Sequence, residues 1–236
     1  MEKKLKSWQG WLLFGGTMVV VFVLGMIAAS VNERHAEVTS VMNNKKTEIT
    51  GIEARNDKFE SNYPREYQTW EATADTSFKS LYNGNQAVDV LEARPEMVIL
   101  WAGYAFSKDY STPRGHMHAI EDMRNTLRVG APMTENEGPQ PATCWTCKSP
   151  DVPRMMQAMG VDNFYKGKWA SLGKEIVNPI GCADCHEPEN MNLHISRPAL
   201  IEAFQRQGKD ITKATQQEMR SLVCAQCHVE YYFKGD

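Results

Sequence analysis

Apolar positions along this chain change character twice. From Trp8 to Val31 they run without a charge, with Leu12, Phe14, Val19, Val20, Val21, Phe22, Leu24 and Ile27 at the centre, and Lys3, Lys4 and Lys6 stand just before them. About twenty such residues suffice to cross a bilayer as a helix, and lysines ahead of the run stay cytoplasmic. The run is longer than the roughly 7–15 residues of a signal-peptide core, so an anchor is the favoured expectation. Cleavage is the alternative, because Ala28-Ala29-Ser30 offers small residues to a signal peptidase.

Residues 32–60 turn polar and charged, as in Asn43-Asn44-Lys45-Lys46-Thr47, and are expected to be a linker. Beyond them the pattern is helical in short pieces. Pro95 opens Glu-Met-Val-Ile-Leu-Trp101 as a first-turn proline. Gly115 to Arg128 predicts an amphipathic helix closed by Gly130 and Pro132, with His116, Ile120, Met123 and Leu127 on one face and His118 pointing away. Ser196 and Pro198 open a helix through Phe204, and Thr215 to Cys224 predicts another. No alternating strand pattern of any length occurs. The expected fold is mainly α: a membrane segment over 1–31, a linker over 32–60 and a helical domain over 61–236.

Composition narrows the classes. With 236 residues, 42% hydrophobic and 23% charged, and a net charge of −3, the chain is of ordinary globular make-up and offers nothing to nucleic acid. It has no phosphate-cradling P-loop glycine motif. Its six cysteines are another matter, since all fall in Cys-x-x-Cys pairs: Cys144/Cys147, Cys182/Cys185 and Cys224/Cys227. The second and third pairs are followed at once by His186 and His228. Cys-x-x-Cys-His attaches c-type haem, with the cysteines as thioethers and the histidine as proximal iron ligand. A disulfide framework or a zinc ribbon would use cysteine pairs too, but neither explains a histidine directly after the second cysteine, twice, in a chain that looks exported. Haems then supply much of the core.

The first pair departs from the rule, reading Cys144-Trp-Thr-Cys147-Lys148. A lysine amine ligates metal only when neutral, against an ordinary pKa of about 10.4, and both coordination and burial favour that form. An iron held by Lys148 can keep its far face open to a small ligand. A decayed site or a disulfide is the alternative. Spacing leaves His116 open between a distal haem ligand and a core histidine, and His35 lies too near the membrane segment.

These motifs carry a resemblance. Cys-Trp-Thr-Cys-Lys-Ser-Pro-Asp at 144–151, Gly-Cys-Ala-Asp-Cys-His at 181–186 and Val-Cys-Ala-Gln-Cys-His-Val-Glu-Tyr-Tyr-Phe at 223–233 resemble the ammonia-forming, pentahaem cytochrome c nitrite reductases. So do Arg114-Gly-His116, Leu127-Arg-Val-Gly-Ala-Pro132, Gly167-Lys-Trp169 and Glu175-Ile-Val-Asn178. The resemblance implies six-electron reduction of nitrite to ammonium at the Lys148 haem, with the other haems relaying electrons. Arg128 matches the arginine that holds the anion, although spacing alone does not choose it over Arg124. Tyr231 matches the active-site tyrosine, a proton donor. Glu230 and the Tyr231 carbonyl match calcium ligands, and His116 the distal ligand of the third haem; His194 matches no ligand and is expected at the surface. The family implies a periplasmic protein, a membrane quinol dehydrogenase cytochrome as electron donor, and a homodimer. It also implies a longer chain with further Cys-x-x-Cys-His motifs, an active-site histidine and the rest of the calcium site, so this chain alone is expected to reduce little nitrite. The competing class is a membrane-anchored multihaem cytochrome passing electrons from quinol to a periplasmic reductase. Hydroxylamine and sulfite are conceivable side substrates of the same open haem.

Overall fold

The computed structural model describes residues 6–43, 45–79, 81, 85–104, 107–127 and 140–229. Its first element is α1 (Ser7–Asn43), a single helix of 37 residues. Its apolar side chains face outward all round, as at Trp11 and Phe22. A helix apolar on every side suits an apolar solvent, and α1 is long and apolar enough to cross a membrane. It does not stop where the charges begin. It continues through Ala28-Ala29-Ser30 and the polar stretch to Asn43, where a linker was expected.

A separate unit begins at Thr47 rather than at residue 61. The rest of the expected linker is therefore folded protein, with Ile49, Ala54, Asn56 and Phe59 all buried. The segment reads as polar because amides rather than aliphatics hold it. Asn62 accepts from the Thr47 N–H at 3.0 Å and donates to its carbonyl at 2.7 Å, which ties residue 47 across α2 (Asp57–Glu60). Next come α3 (Pro64–Glu71), with proline in its first turn, and the single turns α4 (Val90–Ala93) and α5 (Met97–Leu100). The Asp89 carboxylate caps α4 by accepting from the Leu91 and Glu92 N–H groups.

The amphipathic helix expected over 115–128 is shorter. A 3₁₀ turn over His116–His118 leads into α6 (Ala119–Asn125), which ends where Thr126 turns extended and its hydroxyl bonds the Asp122 carbonyl at 2.6 Å. Leu127 is therefore exposed instead of on the buried face.

The apolar core sits around the first cysteine pair. α7 (Asp151–Met159) and α8 (Val161–Lys166) meet at Gly160, whose φ of 87° suits glycine and sharply turns the chain. With α9 (Trp169–Leu172) they bury Val152, Met155, Met156, Phe164 and Trp169 against Trp145 and Ile120. Trp145, inside the first motif, packs edge-on against Trp169 at 4.9 Å and donates from its indole nitrogen to the Trp169 carbonyl at 2.8 Å. Three helices complete the unit: α10 (Cys182–Cys185), α11 (Pro198–Arg206) and α12 (Gln216–Ala225). Among the described residues no strand forms, only isolated bridges such as His186–Leu193.

Candidate haem sites

Each cysteine pair lies on a short helical turn, which brings both thiols to one side of the backbone. The first turn is anchored on its C-terminal side. The Ser149 hydroxyl donates to the Asn178 carbonyl at 2.6 Å, and the buried Asp151 carboxylate accepts from the N–H groups of Val177 and Asn178 at 2.8 and 2.9 Å. Lys148 stands between this anchor and Cys147, half-buried, and its amine has no hydrogen bond or ion pair among the described residues. An amine placed this way suits a ligand that is not protein.

The second turn, α10, is capped from far away in sequence. Asn56 accepts from the Cys182 N–H at 2.9 Å and donates to the Pro179 carbonyl at 3.1 Å, and the Asp184 carboxylate accepts from the Gly181 N–H at 2.8 Å. Asn56 lies so close to Gly181 that a Cβ there would collide with it. Downstream, His186 Nδ1 bonds the Met191 carbonyl at 2.7 Å. That bond makes Nδ1 the donor and leaves the Nε2 lone pair to a metal, the usual way a ligating histidine is oriented. Met191 adopts a φ of 60°, the only non-glycine among the described residues in that region, on the turn that presents this carbonyl.

The third pair ends α12, and His228 follows it. The His228 ring lies 6.3 Å from the ring of His116, centroid to centroid. Two imidazoles bound through nitrogen to one metal at about 2 Å each need about this separation, so the pair fits a bis-histidine haem. Burial, aided by the charge of His228, lowers the His116 pKa and favours the neutral, ligating form.

All six thiols are free. Among the described residues no group of three or more His, Cys, Asp or Glu is placed to hold a metal ion. Cys147 and Cys227, from the first and third pairs, meet: the Cys147 thiol donates to the Cys227 carbonyl at 3.7 Å, and the neighbouring Cys227 side chain, with Lys148 and Arg197 nearby, draws the Cys147 thiol down to about 7. The same contact, with burial, pushes Cys227 up. Burial, helped by the Asp184 charge, raises Cys182 and Cys185 to about 11.

The expected residues fare differently. Cys144, Cys147, Lys148, Cys182, Cys185, His186, Cys224, Cys227, His228 and His116 all lie in one unit. Arg128, Glu230 and Tyr231 lie outside the described residues. Arg124, the rival to Arg128, gives its guanidinium to the Gly173 and Ile176 carbonyls at 2.6 and 2.8 Å, so it braces a loop. Two histidines depart from expectation. His118 is 8% exposed rather than turned away, because a 3₁₀ turn rotates side chains by more per residue than an α-turn does. His194 is half-buried, not a surface residue, and its Nε2 bonds the Ala183 carbonyl of the second motif at 3.3 Å. Asn56, Asp184, Arg197 and Gln226 escape a sequence reading, although Asp184 and Gln226 belong to a pattern: a polar residue precedes the second cysteine of every pair (Thr146, Asp184, Gln226).

Known proteins resemble this arrangement. The family described as cytochrome c552 matches residues 55–236. A cytochrome c-552 of Bacteroides fragilis is 77% identical over 236 residues, which is all of this chain and 48% of that protein. One of Porphyromonas gingivalis is 72% identical over the same length, covering 47% of that protein. Among solved structures, the cytochrome c nitrite reductase of Desulfovibrio desulfuricans, whose catalytic subunit has two calcium sites, superposes with a TM-score of 0.72 at 32% identity. The match covers 79% of this chain and 42% of that one. The chain spans about half the length of the curated relatives it matches.

Proposed function

Since the chain belongs to the cytochrome c552 family, we propose that it carries haem c at its three cysteine pairs and supplies the lysine side of a nitrite-reducing centre. The observation that carries this reading is Lys148, an unpaired amine on a doubly anchored turn, at the place where the other two motifs put histidine. Haem bound there would supply a redox-active iron for the reduction of a small ligand. The substrate is nitrite and the product ammonium, and the activity is that of the whole protein of which this chain spans a part.

The chain's own residues do the rest. Lys148 would hold the iron of that haem, and His186 and the His116–His228 pair would hold haems that pass electrons. Arg128 binds the anion, since arginine stays charged and presents a planar fork of donors, and since Arg124 is already committed to carbonyls. Tyr231 donates a proton or hydrogen bond to reduced nitrogen. Glu230 and the Tyr231 carbonyl hold calcium, which suits carboxylate and carbonyl oxygens. The site lies in the periplasm, is fed by a membrane quinol dehydrogenase cytochrome and works as a homodimer. The rival reading, a quinol-to-reductase electron carrier, draws support from α1. Against it, residues 47–140 carry no haem motif, yet reach the second motif through Asn56.

Lys148→Ala in the haem-loaded protein tests the proposal. It is expected to keep its haem content but lose the open-faced ferric signal and most nitrite turnover. Native turnover in that variant would sink the assignment.

A further inference from the structure

Arg197 is fully buried, at 0% exposure, among the loops and turns that carry the cysteine pairs. Its Nε donates to the Thr146 carbonyl at 2.7 Å, and Nη2 donates to the Ser149 carbonyl at 2.9 Å and to the Asp184 carboxylate at 2.5 Å. Nη1 donates to the Ser196 hydroxyl at 2.6 Å. Thr146 and Ser149 flank Cys147-Lys148, so a single side chain grips the lysine turn on both sides. Asp184 lies inside the second motif. The third motif joins through Gln226, whose Oε1 accepts from the Arg197 N–H at 3.2 Å and whose Nε2 donates to the Asp184 carbonyl at 2.7 Å.

A buried arginine is costly unless its charge and its donors are all matched. Here the charge is matched by Asp184, and four of the five guanidinium N–H groups are matched by Thr146, Ser149, Asp184 and Ser196. An aliphatic residue would fill the same space without that cost, so core packing does not explain the choice. A lysine would keep the charge, but one ammonium cannot reach two carbonyls and a carboxylate with the reach of a planar fork.

We propose that Arg197, braced by Asp184 and Gln226, is a positioning residue for the Lys148 haem: it fixes the backbone on both sides of Lys148 and sets that turn in register with the other two haem peptides. The inference rests on the reading of Lys148 as an iron ligand. Lys148 touches the iron; Arg197 acts through it.

The test is Arg197→Lys in the intact haem-loaded protein, read by haem content per chain, by ferric electron paramagnetic resonance and by potentiometric titration. Haem content is expected to stay native. The single open-faced signal of the Lys148 haem is expected to split into a mixture, and its midpoint potential to move while the bis-histidine haems keep theirs. Gln226→Leu, which unties only the third motif, is expected to leave the open-faced signal single. A native signal and potential in Arg197→Lys overturns the proposal. So does a uniform shift of every haem with a common fall in Tm, which marks a merely structural role. If Arg197→Lys takes up no haem, the paired change Arg197→Gln with Asp184→Asn, which leaves no lone buried charge, is read by the same criteria. A native protein without any open-faced signal would instead sink the Lys148 reading itself.

Discussion

At the residue scale, two arginines near the end of α6 separate an anion ligand from a brace. Arg124 makes two charge-assisted bonds to the loop at 173–176. Its replacement by alanine is expected to cost about 1 kcal/mol after discounting for exposure, seen as a lower Tm, with the KM for nitrite unchanged. Arg128→Ala is expected to raise KM or cut kcat with little change in Tm. The reverse result would exchange their roles. Thiol chemistry offers a second check, on the haem-free chain. With Cys147 drawn down to about 7 and Cys182 and Cys185 raised to about 11, Cys147 should be alkylated ahead of Cys182 and Cys185 near neutral pH. The other two should react appreciably only as the pH climbs toward their own values. Equal rates at pH 7 would contradict the Cys147–Cys227 contact. The cysteine pairs and Lys148 were conspicuous in the sequence by their spacing. Arg197 was not, since its partners lie 48 and 51 residues away and only folding brings them together.

Elements are where local chemistry and tertiary demands part company. α12 begins where the sequence predicts, because Thr215 and Glu218 form a reciprocal capping box: the Thr215 hydroxyl accepts from the Glu218 N–H, and the Glu218 carboxylate accepts from the Thr215 N–H at 2.8 Å. Thr215→Ala is expected to cost about 1 kcal/mol and to loosen the helix that delivers the third motif. Those bonds hold Glu218 below the ordinary 4.5. A carboxyl whose folded pKa is depressed adds stability above its ordinary value and loses it as pH falls through the folded one. Glu218→Gln should therefore have a lower Tm than the native protein at pH 7, and the gap should close in acid below 4.5; a gap independent of pH would sink the capping role. The segment at 47–62 defeated the same kind of reading. Its buried groups include Asn56 and Asn62, whose amides replace helix and sheet bonds, and amide-rich chain looks like linker until its partners are known. α6 shows the converse: periodicity ran on to Leu127, but Thr126 bonds back to Asp122 and stops the helix early.

For the whole molecule, the open question with the largest functional consequence is whether α1 stays. A mainly helical chain with an apolar start and a haem-bearing remainder was legible from pattern and motif together, but the sequence alone left anchor and signal peptide side by side. α1 passes unbroken through Ala28-Ala29-Ser30, the only small-residue stretch suited to cleavage, and on to Asn43. At about 1.5 Å per residue, 37 residues reach well beyond the roughly 30 Å of a hydrocarbon core. A retained anchor makes a clear prediction. The native protein should sediment with membranes through high salt, need detergent for release, and show a mass that includes Met1 to Val31. Arginine at both Val20 and Leu24, each adding roughly 2.5–3.5 kcal/mol to insertion, should move it to the soluble fraction or abolish export. A soluble native protein whose N-terminus lies near Val31 would establish cleavage instead.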